Sequence, residues 1–265
     1  MVSSGMAIVA IFLLAALLAV VTAQWLVLRA HHRQRGIFRR WPVPKVNLEE
    51  IDPRFLPAEF GPTLATEVTF MGRGTIAVPG GTSDTEAWIL AVLAHGARRL
   101  FEFGTCTGKT AYLWAGNLPA GGEVVTLTLS PADVASYQPA AGDDAVAEQY
   151  ARQESRFSRF LYTGTPVEDR IIQLYGDSKR FDESAYARSC DVVFVDGSHA
   201  RSYVLSDSEK ALRMVRPGGL VLWHDYSPAC PGVFAALNAL ARRLPLRHIR
   251  GTTLVAHRAT LSSPP

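Results

Sequence analysis

The hydrophobic and polar positions divide the chain into an apolar start and an alternating body. From Met6 to Leu28, 23 consecutive residues carry no charge. At about 1.5 Å rise per residue, a helix of this length spans roughly 34 Å, enough to cross a hydrocarbon core of about 30 Å. The run is apolar on every face and too long for a buried core helix. It therefore predicts a single transmembrane helix.

The charges after this helix predict its orientation. Residues 1–40 hold no acidic residue and five arginines: Arg29, Arg33, Arg35, Arg39 and Arg40. Positive charge after the apolar segment predicts a chain that continues on the cytoplasmic side. A cleaved signal peptide is the alternative, because Val21-Thr22-Ala23 resembles a cleavage site. A signal peptide carries its charge before the apolar core, so the anchor is favoured.

Beyond residue 40 the chain first becomes rich in proline and then alternates between strand-like and helical runs. We expect an anchor with its basic flank over residues 1–40, a linker and N-terminal extension over 41–78, and a folded domain over 79–265. Strands are predicted at Leu100–Phe103, Glu123–Leu129, Ile171–Tyr175, Asp191–Val195 and Leu220–Trp223. Helices are predicted at Thr85–Ala94, from Gly108 through Ala115, and at Ser206–Val215 and Val233–Arg243. This alternation predicts an α/β fold, a Rossmann-like doubly wound and mostly parallel sheet.

Three further segments complete the predicted domain. Pro217-Gly218-Gly219 should separate a helix from the strand that follows it. Leu246–Ile249 and Thr252–Ala256 could close the sheet as an antiparallel pair. The connection over residues 131–166 is longer than such connections usually are. We expect a helix in it around residues 144–160, in either a lid over the acceptor side or a plain surface insertion.

Composition and cysteine spacing narrow the class of protein. Of the 27 basic residues, 22 remain once the five arginines of residues 1–40 are removed; against 24 acidic residues, the body carries −2. A slightly acidic body without a basic stripe argues against nucleic-acid binding. Cys106, Cys190 and Cys230 show no paired spacing, hence no disulfide framework and no zinc pattern. A reducing compartment fits this usage.

The segment FEFGTCTGKT (residues 101–110) is a glycine-containing turn between a strand and a helix. A phosphate-binding P-loop needs four residues between its glycines, and here only three separate Gly104 from Gly108. A dinucleotide fingerprint needs glycine where Cys106 and Lys109 stand. The third interpretation is the Glu-x-Gly-x-x-x-Gly turn that holds the methionine part of S-adenosylmethionine. Its candidate contacts are Glu102, Gly104, Thr105 and Gly108.

Two more strand ends carry candidate nucleoside contacts. Asp177 and Ser178 follow the third strand, where a carboxylate can accept a hydrogen bond from the adenine amine; they are equally suited to cap a helix. Near the end of the second strand, Thr128 occupies the position where an acid normally bonds the ribose hydroxyls. A threonine hydroxyl offers a single uncharged group there.

The fourth and fifth strands end in acids and histidines. Asp196 and His199 follow the fourth strand, and His224 and Asp225 follow the fifth. Because the carboxyl ends of neighbouring parallel strands meet, these four side chains should share one crevice. Such ligands suit magnesium or manganese, and a histidine suits a general base. The alternative is that the aspartates cap loops and that His224 is a packed core imidazole.

With these motifs in place, the chain resembles the class I S-adenosylmethionine-dependent methyltransferases from about Pro79 to Ala256. The resemblance is carried by FEFGTCTGKT, QLYGDS and FVDGSHARSYVLSDSEKALRMVRPGGLVLWHDY. The last block is similar to the branch with metal-dependent sugar O-methyltransferases and cephalosporin hydroxylase-like proteins. That resemblance implies S-adenosylmethionine as cofactor, with Asp196 among its contacts, and a divalent metal, Mg or Mn.

Carried over residue by residue, the resemblance makes Asp196 and Asp225 metal ligands and His199 the base. His224 stands where that branch has a carboxylate, and we include it among the metal ligands; Thr128 and Cys106 also depart from the pattern. The implied reaction is methyl transfer to the hydroxyl of a small-molecule or lipid-linked acceptor. A P-loop-like nucleotide hydrolase, a non-catalytic cofactor-binding membrane module and a hydroxylase on the same fold are the alternatives.

Overall fold

The computed structural model describes residues 4–34, 41–56, 66–68 and 80–260. Two compact units divide the chain, one of Met1–Trp41 with Ser227–Ala229, and the other of Pro42–Tyr226 with Cys230–Pro265. Arg35, Arg39 and Arg40 of the predicted basic flank lie outside the described residues, as do residues 57–65 and 69–78 of the predicted linker and extension and residues 79 and 261–265 of the predicted domain.

The first unit holds one long helix, α1 (Ser4–Gln34). Its most apolar stretch, Ile11–Leu28, has a mean hydropathy of 2.5, and none of it is buried against other parts of the protein. By length and composition this helix could cross a membrane, and a signal sequence near the N-terminus meets the same criteria. The choice of an anchor, and its orientation, therefore stay predictions.

The second unit is built on one mixed sheet. Within the described residues it has eight strands: β1 (Lys45–Val46), β2 (Arg99–Phe103), β3 (Glu123–Thr128), β4 (Ile171–Tyr175), β5 (Cys190–Val195), β6 (Val215–Trp223), β7 (Arg247–Ile249) and β8 (Val255–Arg258). Their order is β1-β7-β8-β6-β5-β2-β3-β4. Only β8 runs antiparallel to its described neighbours, β6 and β7. The predicted Rossmann-like sheet and its antiparallel closure are confirmed.

Five helices accompany the sheet in the part of this unit that the structure describes: α2 (Asp84–Ala94), α3 (Lys109–Asn117), α4 (Ala145–Glu154), α5 (Arg201–Met214) and α6 (Pro231–Leu240). Helix α2 begins at a capping box, in which the Ser83 side chain accepts from the Glu86 amide and the Glu86 carboxylate accepts from the Ser83 amide. Its buried residues pack against α3 and the sheet.

Two predicted boundaries were wrong. Pro217-Gly218-Gly219 does not separate α5 from a strand, because β6 begins at Val215 and runs through all three residues. A side chain at Gly219 would lie 2.8 Å from the Asp191 carbonyl oxygen, so glycine lets β6 pass close to β5 at an irregular register. Helix α4 ends at Glu154, because Phe160 beyond it packs in the main core.

The segment predicted as a linker also contributes to the sheet. Residues 45–46 form β1, which pairs in parallel with β7, with Val46 opposite Ile249. Val46 and Ile249 are both buried in the main core. Two residues are too short a run for a sequence pattern to predict a strand, and their pairing depends on a partner about 200 residues away.

The centre of the sheet is buried on both faces. Val193 and Phe194 of β5 are fully buried, and the Phe194 ring packs against Trp114 of α3 with 5.9 Å between ring centroids. Helices that cover both faces of parallel strands leave no polar face, which explains the continuous apolar run of β5.

The strand order places a topological switch between β2 and β5. The chain moves from β2 outward to β3 and β4, then returns to β5 and β6 on the other side. Loops that diverge in this way leave a crevice beyond the carboxyl ends of the strands. Gly104 makes the close approach possible: its φ is +102°, and a Cβ there would lie 2.1 Å from the Asp196 carbonyl oxygen.

Gly104→Ala should lower the free energy of unfolding by about 2–4 kcal/mol, because the methyl group forces the loops after β2 and β5 apart. Urea denaturation of the full chain in detergent measures this. Gly142→Ala is the matched control, because Gly142 has a φ of +91° and nothing within 4 Å of an added Cβ; it should cost only about 1 kcal/mol. Equal losses in the two variants would contradict the steric explanation.

Candidate functional site

The four residues predicted to converge at the ends of β5 and β6 lie together. His199 Nε2 is 2.9 Å from Asp225 Oδ2, and His224 Nδ1 is 3.2 Å from Asp196 Oδ1 and 3.3 Å from Asp225 Oδ1. Asp225 has a φ of +60°, in the left-handed region that a non-glycine residue seldom adopts. This conformation turns its carboxylate between the two imidazoles.

Glu86 of α2 is a further member of the site that the sequence did not reveal. Its Oε2 lies 3.4 Å from His224 Nε2, so both ring nitrogens of His224 face acids. Its Oε1 accepts hydrogen bonds from the amide and hydroxyl of Thr253. Glu86 is buried at the start of a capped helix. Its capping box with Ser83 is by itself a sufficient local reason for a glutamate at this position.

Burial and the neighbouring charges shift the pKa values of this cluster in opposite directions. Burial lowers the pKa of His224, but the charge of Asp196 and hydrogen bonds to acids raise it well above its ordinary value. Burial likewise lowers the pKa of His199, and its bond to Asp225 raises it overall. Burial raises the pKa of Asp225, yet the two histidines bring it below its ordinary value. For Asp196 the effect of burial exceeds that of the two histidines, so its pKa is raised.

The donor set is compatible with a divalent cation. Ligand atoms of Asp196, His224 and Asp225 all lie within 4.8 Å of one another, as do those of His199, Asp225 and Cys230. Carboxylate and imidazole ligands suit Mg²⁺ or Mn²⁺. Glu86 on the second nitrogen of His224 provides the outer carboxylate that commonly orients a metal-binding histidine. The residues of the first set therefore fit the predicted metal.

Two open cavities meet at this end of the sheet. The first, of about 490 Å³, extends from Gly104 past Thr128 and Ser178 at the ends of β2, β3 and β4. The second, of about 430 Å³, contains the acid–histidine cluster and Thr105. Of the predicted cofactor contacts, Gly104, Thr128 and Ser178 thus line the first cavity, and Thr105 and Asp196 line the second.

Three predicted cofactor residues lie outside both linings. Gly108 starts α3 with a φ of +80°, and a Cβ there would lie 2.7 Å from the Tyr162 ring, so its lack of a side chain serves packing. Asp177 is buried, and its carboxylate accepts from the Lys179 amide, which is the capping role left open by the sequence. Their predicted contact with a cofactor stays a prediction.

Glu102 lies beneath the glycine turn rather than on its surface. It is 1% exposed, and the Thr126 hydroxyl donates to its Oε2 at 2.6 Å. Burial raises the pKa of Glu102 to about 8, and the nearby charge of Asp196 adds to this effect. Thr126 Oγ1 is also 2.7 Å from Oγ1 of Thr105, which is a residue of the glycine turn. Glu102 is thus placed to hold the turn from below.

Two acids that the sequence did not single out border the first cavity. Asp207 of α5 is 1% exposed, and its Oδ1 is buried with no hydrogen-bond partner among the residues that the structure describes; burial raises its pKa to about 7. Glu154 is the last residue of α4. A signal existed for both: Asp207 follows Val204 by three residues, and Glu154 follows Ala151 by three, so each acid shares a helix face with a buried apolar residue.

The long connection between β3 and β4 covers the site. The Tyr137 hydroxyl lies 2.6 Å from Ser198 Oγ, and its ring stacks on Tyr203 at 4.5 Å. The Tyr150 ring lies 5.0 Å from the ring of His199. The segment predicted as either a lid or a surface insertion therefore contacts the loop that carries the acid–histidine cluster and lines the first cavity.

Comparison with known proteins agrees with this geometry. Residues 101–226 match a protein family described as a methyltransferase domain. The matched range runs from β2 to just beyond β6 and contains the glycine turn, His199 and the His224–Asp225 pair. The predicted resemblance to methyltransferases is thus confirmed over residues 101–226, a little under half of the chain. No protein of curated function matches the sequence significantly.

Among solved structures, several methyltransferases are similar to this chain at low identity. The O-methyltransferase TomG from Streptomyces achromogenes is 19% identical, with 68% of this chain and 82% of TomG covered and a TM-score of 0.45. An O-methyltransferase from Bacillus cereus is 20% identical, with 67% and 82% covered and a TM-score of 0.45. A methyltransferase from Podospora anserina is 16% identical, with 68% and 80% covered and a TM-score of 0.48.

Glu102→Gln should become more stable relative to the unaltered protein as pH rises. The folded-state pKa of Glu102, about 8, exceeds its ordinary 4.5, so between these values the folded state holds a proton that the unfolded state lacks. Stability of the unaltered protein therefore falls as pH rises. The difference in unfolding free energy should grow by about 1–3 kcal/mol from pH 5 to pH 8, measured by urea denaturation. Glu148→Gln, an exposed change, is the control, and a flat difference for Glu102→Gln would contradict the burial effect.

Proposed function

We propose that this protein transfers the methyl group of S-adenosylmethionine to an acceptor hydroxyl with the help of a divalent cation. One observation carries the proposal: His199, His224, Asp196 and Asp225 share one cavity beside the glycine turn of a methyltransferase domain. Sulfonium methyl transfer needs an aligned acceptor oxygen that can lose its proton, and this cluster combines a candidate base with carboxylates.

His199 is the base in this proposal, and Asp225 positions it. Asp225 Oδ2 accepts from His199 Nε2, which fixes the neutral tautomer with its lone pair at Nδ1. Nδ1 would then take the proton of the acceptor hydroxyl. Tyr150 packs beside the His199 ring and limits its rotation. This arrangement follows the general pattern of a base oriented by a third group.

Asp196, His224 and Asp225 would hold the cation, with Glu86 orienting His224 through its second nitrogen. A bound Mg²⁺ or Mn²⁺ supplies Lewis-acid stabilisation of the acceptor oxygen. The protein's own contribution is to keep two carboxylates and an imidazole close together in a partly buried cavity. The same charges bring the raised pKa of His224 and the lowered pKa of Asp225.

The acceptor is a small molecule or a lipid-linked one, and α1 is proposed as a membrane anchor with the domain on the cytoplasmic side. The acid–histidine cluster lines a concave cavity rather than a flat surface, and a concave site suits a small group better than a macromolecular surface. An anchor would keep the domain near a lipid-linked acceptor. The match to a methyltransferase family favours methyl transfer over nucleotide hydrolysis by a P-loop-like enzyme.

Calorimetric titration tests the cofactor. The full chain in detergent should bind S-adenosylmethionine at micromolar concentration and give no heat with ATP. Asp207→Leu, which replaces a polar wall of the first cavity, should weaken binding, whereas Asp133→Leu, an exposed change in the connection between β3 and β4, should not. Binding of ATP without S-adenosylmethionine would overturn the proposal and favour the P-loop interpretation.

The cation is tested by Mn²⁺ binding, followed through the loss of the free-ion electron paramagnetic resonance signal. The unaltered protein should bind one Mn²⁺, and Asp196→Asn and Asp225→Asn should weaken binding at least about tenfold. Asp191→Asn, an aspartate at the opposite end of β5, is the matched control. Identical binding by all four proteins would remove the cation from the proposal.

Methyl transfer itself is tested with radiolabelled cofactor and separate lipid and water-soluble extracts as acceptors. His199→Gln should reduce incorporation by about 10²–10⁴-fold while S-adenosylmethionine binding persists. In the unaltered protein the rate should rise with pH as His199 loses its proton. Asp225→Asn removes the partner that raises the His199 pKa, so this rise should move to lower pH. Full activity of His199→Gln would exclude it as the base.

A further inference from the structure

The two cavities share two lining residues, Cys106 in the glycine turn and Glu154 at the end of α4. These residues mark the boundary between the cavity at the ends of β2, β3 and β4 and the cavity that holds the acid–histidine cluster. The inference below rests on the proposed function. If the adenosyl part occupies the first cavity and the acceptor the second, the reacting sulfur lies at this boundary.

Glu154 is not explained by the stability of its own helix. It is the last residue of α4, where the helix dipole disfavours a negative side chain. Within the described residues, its carboxylate has no hydrogen bond and no ion pair, whereas Glu148 on the same helix pairs with Arg152 at 2.7 Å. A partly buried carboxylate without a partner is costly unless a ligand supplies the missing positive charge.

Charged groups of both signs act on Glu154, with Asp196 and Asp225 on one side and His199 and His224 on the other. Cys106, the other shared residue, is neutral, since burial raises the pKa of its thiol to about 12. Burial, with the charges of Asp196 and Asp225, raises the pKa of Glu154 to about 7, while His199 acts in the opposite direction. A cation bound at this boundary would therefore attract the Glu154 carboxylate and stabilise its ionised form.

We infer that Glu154 recognises the positive sulfonium of S-adenosylmethionine and so distinguishes the charged cofactor from its neutral product, S-adenosylhomocysteine. The two molecules differ by one methyl group and one unit of charge at the sulfur atom. A carboxylate beside the sulfur atom stabilises bound S-adenosylmethionine by charge attraction. It does not stabilise the neutral thioether of S-adenosylhomocysteine in this way. Through Glu154, the connection between β3 and β4 would thus favour the replacement of S-adenosylhomocysteine by S-adenosylmethionine.

Binding of both molecules to the full chain in detergent tests the inference without an acceptor. Glu154→Gln should weaken S-adenosylmethionine binding by about tenfold or more and leave S-adenosylhomocysteine binding within about twofold, because an opposite charge at 4–6 Å favours the charged form by this much. Glu148→Gln is the control, with the same change on the same helix, and should alter neither affinity. Product binding also reports that each variant is folded.

The outcomes separate this inference from the proposed function. If the unaltered protein binds neither molecule, the proposed function fails. If it binds both and Glu154→Gln weakens both equally, the side chain contacts a part that they share, and the inference is overturned. Should Glu154→Gln bind neither, Glu154→Asp replaces it: a carboxylate withdrawn by one methylene should selectively weaken cofactor binding by about threefold, and an equal change for both molecules would overturn the inference.

Discussion

The His224 imidazole lies between three carboxylates, and the rest of the site depends on how their charges are balanced. Glu86 faces one ring nitrogen, and Asp196 and Asp225 face the other. Buried acids of like charge are tolerated only when a cation or protons compensate them. The close approach of β2 and β5 at Gly104 brings Asp196 into this group, and the left-handed backbone of Asp225 turns it inward. Fold and site are therefore held by the same contacts.

The long connection between β3 and β4 links the two halves of the site. Tyr137 and Tyr150 contact the loop after β5, and Glu154 reaches the boundary between the cavities. A surface insertion would need no such contacts. Because the same segment touches the proposed base and the region of the reacting sulfur, cofactor binding and acceptor positioning would respond together to its movement.

Periodicity and motif spacing were enough to predict the order of strands and helices and the convergence of His199, His224, Asp196 and Asp225, because parallel strands place their carboxyl ends on one edge. The same reasoning assigned Glu102 and Asp177 to a cofactor, and these contacts stay predictions. The structure adds that Glu102 is buried beneath the turn and that Asp177 accepts a capping hydrogen bond. A motif specifies which residue types follow a strand, but side-chain direction depends on packing with neighbours that are distant in sequence.

The sequence by itself determined the α/β class, the apolar N-terminal helix, the glycine turn and the acid–histidine pairs, since each depends on residues close together along the chain. Only the tertiary structure decided that Glu86, Asp207 and Glu154 belong to the site. Glu86 is distant in sequence from the acid–histidine pairs, Asp207 from the glycine turn and Glu154 from both, and ordinary roles in capping or amphipathic patterning account for them locally. Folding brings them to one crevice, because long-range packing selects which face of each helix meets the ends of the strands.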